Sequence, residues 1–129
     1  MRAIDTNVIA RFLLNDDPAQ SLVARSILQT NVFIPHTVLI EIVWLLSSRY
    51  GLTRDLISIA LSELIDIPTV QVDDLSLVKW AIGRYADGAD FADMIHLIAS
   101  READSFATFD TKLGKKAGRK SPIAIEILG

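Results

Sequence analysis

The chain has 129 residues, 50% of them apolar and 22% charged, which suits one packed core and excludes a disordered chain. It contains no cysteine, so disulfides, thiolate metal sites and a cysteine nucleophile are excluded and a reducing cytosol is the expected compartment. The formal charge of −3 is uneven: residues 111–129 hold Lys112, Lys115, Lys116, Arg119 and Lys120 against the single acid Glu126, net +4, while residues 1–110 carry −7.

Asp5 and Asn7 interrupt the apolar stretch that a signal peptide would need, and no uncharged run approaches the roughly 20 residues of a spanning helix. The expectation is a cytoplasmic protein without a membrane segment. An acidic body argues against a nonspecific coat on nucleic acid, while leaving room for a local basic patch.

In chain order, Arg2–Ile4 reads as a short strand, followed by helical spacing of Val8, Ile9, Phe12 and Leu13 over Asn7–Leu14. Asp17 and Pro18 open a second helix towards Gln29, as N-cap and first helical residue. Val32–Ile34 is a strand stopped by Pro35. Thr37 is placed to cap a long apolar helix, Val38–Tyr50, which Gly51 ends.

Thr53 caps the next helix, running to about Ile65, and Thr69–Val72 is a third strand beyond Pro68. Helices follow over about Leu75–Ala86 and Asp90–Ala103, then a fourth strand, Ser105–Phe109. Lys112–Pro122 reads as a turn-rich basic segment, and Ile123–Leu128 as a fifth strand. Strands separated by helices imply a parallel sheet. The expected build is one three-layer α/β domain over residues 1–129, with a short sheet of four or five strands flanked by helices.

Most acids have simple readings as helix caps or solvated surface. Five stand out. Glu41 is the only charge within Val38–Leu46, and Asp93 stands in the apolar Phe91–Ala99 run; both are expected to be partly buried. An unpaired buried carboxylate needs a partner, a cation or a proton. Asp5 and Asp110 each follow a strand, at the edge where open parallel sheets bind ligands. Asp90 precedes Asp93 by three residues, on the same helical face. Such a gathering of negative charge is tolerable only around a hard cation, and oxygen donors without Cys favour Mg²⁺ or Mn²⁺ over zinc.

Asp5-Thr-Asn after the first strand, Glu41 in the third helix, Asp90-Phe-Ala-Asp93 opening a later helix and Ala107-Thr-Phe-Asp110 ending the fourth strand resemble the PIN-domain nucleases. Length and motif order are similar to the VapC-type toxins of prokaryotic toxin–antitoxin pairs, over nearly the whole chain. The resemblance implies a metal-dependent endoribonuclease with Asp5, Glu41, Asp93 and Asp110 as its acidic quartet and Asp90 as an additional acid. Thr6, Asn7 and Thr108 fall in the matching motifs as groups that orient ligands or substrate. RNA is then the substrate, and a cognate antitoxin and a homodimer are the expected partners.

A cation held by carboxylates can activate water and neutralise the charge that develops at phosphorus, so no protein nucleophile is required. The basic arm Lys112, Lys115, Lys116, Arg119 and Lys120 directly follows Asp110 and either holds RNA backbone or is a solvated loop. His96, one turn after Asp93, reads first as a surface or partly buried histidine, and His36 as a loop residue. Trp44 and Trp80, inside apolar helical patterns, read as core or interface before base-stacking platforms. No serine has a nucleophile-elbow context and no glycine-rich phosphate loop is present. The competing readings are a metal-dependent phosphohydrolase acting on another phosphate substrate and a noncatalytic receiver-like module. A receiver needs an acidic pair that Asp5 lacks.

Overall fold

The first three strands, Arg2–Ala3 (β1), Val32–Phe33 (β2) and Val70–Gln71 (β3), run parallel in the order β1-β2-β3, with Arg2 opposite Val32 and Val32 opposite Val70. They belong to a computed structural model that describes residues 1–129 and falls into two compact units, Met1–Leu75 and Ser76–Gly129. Seven helices and parallel strands make the chain an α/β protein.

In the first unit each strand leads into helix. Thr6–Leu14 (α1) starts at Asp5, whose carboxylate accepts from the Asn7 backbone N–H at 2.7 Å. It ends at Asn15, which takes a left-handed φ of 52° that asparagine tolerates. Pro18–Leu28 (α2) starts at Asp17, which accepts from the Gln20 N–H. His36–Ser48 (α3) follows β2, and Arg54–Asp66 (α4) begins at the Thr53 cap. Helix α1 packs on α2 and α3, and α3 on α4. Ile9, Val32, Ile34, Leu39, Ile42, Leu46, Ile57, Leu61 and Leu64 are fully buried. Because the strands are parallel, Asp5 and the start of α3 lie beyond the same, carboxyl edge of the sheet.

The second unit holds most of Leu75–Ala86 (α5), then Phe91–Ala99 (α6), Phe106–Thr108 (β4), Leu113–Ala117 (α7) and Ile125–Ile127 (β5). Strands β4 and β5 pair in parallel, Phe106 opposite Ile125 and Thr108 opposite Ile127. Tyr85 meets Phe91 edge-to-face, ring centres 6.1 Å apart. Arg84 on α5 donates through Nε to the Lys116 carbonyl at 2.7 Å and through Nη2 to that of Lys115 at 3.3 Å, so it clasps the end of α7.

Several local expectations change. Helix α3 starts one residue before Thr37: Pro35, at φ −62°, occupies the cap position, and its carbonyl accepts from Val38 and Leu39. Helix α6 stops at Ala99, where the Ser100 hydroxyl and the Arg101 guanidinium donate to the last-turn carbonyls of His96 and Ile98. The basic segment is not all turn. It contains α7, whose Leu113 and Ala117, four residues apart, are buried while the lysines point outward. The five strands form a three-stranded and a two-stranded ladder rather than one continuous ladder, each strand only two or three residues long.

Candidate active site

In the first unit, Asp5, Thr6, Asn7, Glu41, Trp44 and Leu45 line one cleft of about 260 Å³. Capping α1 fixes Asp5 where the chain leaves β1. Glu41 comes from the second turn of α3 and is exposed, not partly buried as its apolar neighbours imply. The helical wheel explains this. Leu39, Ile42, Val43 and Leu46 form the buried stripe of α3, while Glu41 and Trp44, three residues apart, fall on the opposite face. Trp44 is accordingly 60% exposed, against its reading as a core residue. The Thr6 hydroxyl oxygen lies buried without a hydrogen-bond partner.

In the second unit Asp90 is the N-cap of α6 and accepts from the Asp93 backbone N–H at 2.9 Å. Asp93, one turn into that helix, is partly buried. Burial pushes its carboxyl above the ordinary aspartate range, and the charges of Asp90 and Asp110 push it the same way, while His96 opposes them. His96 is exposed, and its position one turn after Asp93 makes it an electrostatic neighbour of that carboxylate. Past β4, the Asp110 N–H donates to the Thr108 hydroxyl at 3.0 Å, and Asp110 accepts from the Lys112 N–H at 2.9 Å. Thr108 thus orients the turn that carries Asp110. Lys112, Lys115, Lys116, Arg119 and Lys120 are all exposed on and around α7, held in place by the Arg84 clasp.

The donors in both groups are carboxylate, hydroxyl and amide oxygens, the kind that hard divalent cations take. The orphaned Thr6 oxygen and the mutual repulsion around Asp93 fit such an ion or its water shell. No three of the chain's Asp, Glu and His side chains are gathered as a ready-made cage, so the donors fit in kind while no coordination geometry is set.

Open parallel α/β sheets bind ligands beyond the carboxyl ends of their strands, which is where Asp5 and Asp110 stand. The PIN-domain model matches residues 3–119, and the chain belongs to that family. PIN domains are generally nucleases, typically use divalent metal ions, and include the VapC toxins among other nucleases. No curated protein and no solved structure shows a significant match. No helix is long and apolar enough to cross a membrane.

Sequence reasoning missed Trp44 as a cleft residue. Its signal was present in the spacing, since a residue three positions after Glu41 shares its helical face.

Proposed function

We propose that the chain is a Mg²⁺- or Mn²⁺-dependent endoribonuclease, the VapC-type toxin of a cytoplasmic toxin–antitoxin pair. The observation that carries this reading is the cleft in which Asp5 and Glu41 stand with the unpartnered Thr6 hydroxyl, within a PIN domain. Two carboxylates facing one small cleft repel each other unless a cation or proton intervenes.

In this reading Asp5 and Glu41 of the first unit and Asp93 and Asp110 of the second are the carboxylates that would take divalent cation, with Asp90 contributing charge and fixing the first turn of α6. When bound, the ion lowers the pKa of water and offsets charge growing on the phosphodiester. The protein's own groups do the positioning. The α1 cap holds Asp5 rigid, Thr6 and Asn7 offer hydroxyl and amide groups to ligand or substrate, and Thr108 fixes Asp110. The chain's only histidines, His36 and His96, stand outside the first-unit cleft lining, and water serves as nucleophile. The lysines and arginine of the α7 region would hold the RNA backbone through phosphate contacts.

A cognate antitoxin would occupy the acidic groove, with a basic side chain pairing the carboxylates. Leu56 and Ile59, three residues apart on α4 and 53% and 55% exposed, support a homodimer.

The test is cleavage of single-stranded RNA by the purified protein with Mg²⁺ or Mn²⁺, with excess chelator, and by Asp5→Asn and Asp93→Asn variants. Cleavage should require metal and be abolished in both variants, and either metal should raise Tm. Full activity in chelator overturns the metal role. Hydrolysis of a phosphomonoester without RNA cleavage transfers the reading to a phosphohydrolase.

A further inference from the structure

From the cleft of the first unit we infer that Trp44 is a nucleobase-stacking residue, which packs its indole against a base of the RNA whose phosphodiester is cut. This deepens the ribonuclease reading above and rests on it.

Trp44 is the large apolar side chain that the cleft leaves open. It is 60% exposed, lies on the face of α3 opposite the buried stripe, and shares the cleft lining with Asp5, Thr6, Asn7 and Glu41. A tryptophan left in water forgoes much of the burial free energy a core position would provide. Its location beside two carboxylates sets what can cover it. In the ribonuclease reading those carboxylates hold a cation that draws in a phosphodiester, and Trp44, one helical turn from Glu41, stands beside the bases that flank it. Aromatic stacking serves any base, because every base has a π-face. Asn7 adds an amide able both to donate and to accept, suited to a base edge.

Stacking of one base is worth about 5- to 150-fold in affinity by alanine substitution. The experiment measures binding of a single-stranded RNA oligonucleotide, and of the same strand with abasic sites, to the Asp93→Asn protein in Mg²⁺, with Trp44 intact or replaced. With Trp44 intact, base-bearing RNA should bind about 5- to 150-fold more tightly than abasic RNA. Trp44→Ala should lose that preference while its affinity for abasic RNA stays the same, and Trp44→Phe should recover part of it. In the otherwise native protein, Trp44→Ala should raise KM by a similar factor and change kcat less, since stacking acts alike on ground and transition states.

Equal weakening towards abasic and base-bearing RNA, or no weakening, overturns the inference and leaves the ribonuclease reading standing. So does RNA binding left intact with a shift from dimer to monomer in sedimentation, which would assign Trp44 to an interface between two copies of the chain. Failure of the wild-type protein to cleave RNA at all overturns the ribonuclease reading and the inference with it.

Discussion

Replacing Asp90 in two ways separates its role as a cap from its role as a charge. Its carboxylate accepts from the Asp93 N–H at 2.9 Å, and its charge is the second cause, after burial, of the raised Asp93 carboxyl. The Asp90→Asn change keeps an oxygen acceptor, and asparagine caps helices as well as aspartate does. The Asp90→Ala change removes the acceptor, at a cost of about 1 kcal/mol, in a range of roughly 0.5–2. Removing the charge also forgoes about 0.3–1 kcal/mol at the helix N-terminus, opposed by relief of repulsion on Asp93.

Asp90→Asn should therefore be near neutral in stability, and Asp90→Ala should melt roughly 3–5 °C below it. The pH dependence has a definite sign. Between the ordinary aspartate pKa and the raised value of Asp93, the folded protein binds more protons than the unfolded chain, so stability falls as pH rises through that window. Asp90→Asn should narrow the window without closing it, because burial and Asp110 remain. Thermal unfolding from acid to neutral pH in metal-free buffer, with NMR titration of the Asp93 carboxyl, measures both effects. Equal destabilisation by the two substitutions, or an Asp93 titration unmoved in Asp90→Asn, would refute the reasoning.

Glu41 is exposed, so Glu41→Gln should change stability by no more than about 0.5 kcal/mol in denaturant unfolding while RNA cleavage is lost; a native cleavage rate would remove Glu41 from the site. Alanine at Lys115, Lys116, Arg119 and Lys120 should flatten the log–log salt dependence of RNA binding by up to about 3 units, at about 0.7 per phosphate contact on a single strand. An unchanged slope would return the α7 region to plain solvated surface. Gly118 combines φ +77° with ψ −173°, and a Cβ there would stand 3.2 Å from the Arg84 Cζ. Gly118→Ala should cost about 1–3 kcal/mol in urea unfolding, and no loss would show that the Arg84 clasp tolerates displacement.

The caps and breakers were legible from local chemistry. Asp17, Pro18 and Thr53 act within a few residues of their own positions, and the helices they open follow the expected spans closely, whereas α3 ends at Ser48, two residues before the Tyr50 expected from Gly51. The start of α3 was less legible, because Pro35 and Thr37 are both credible boundary residues and only the backbone bonds to the Pro35 carbonyl choose between them. Helix α7 was hidden because five residues, two of them lysine, carry too little apolar periodicity. Burial of Leu113 and Ala117 and the distant Arg84 clasp stabilise it.

What the sequence determined by itself was the order of strands and helices apart from α7, the acids just past strands and at helix starts, and the oxygen-only donor chemistry. These follow from propensities, capping and periodicity, which act over one or two turns. Which face of α3 meets solvent was decided only by the tertiary structure. Eight of the nine residues from Val38 to Leu46 are apolar, so periodicity has no contrast from which to choose a side. Packing of α3 on α1 and α4 buries Leu39, Ile42, Val43 and Leu46, and by exclusion turns Glu41 and Trp44 outward to the cleft that holds Asp5.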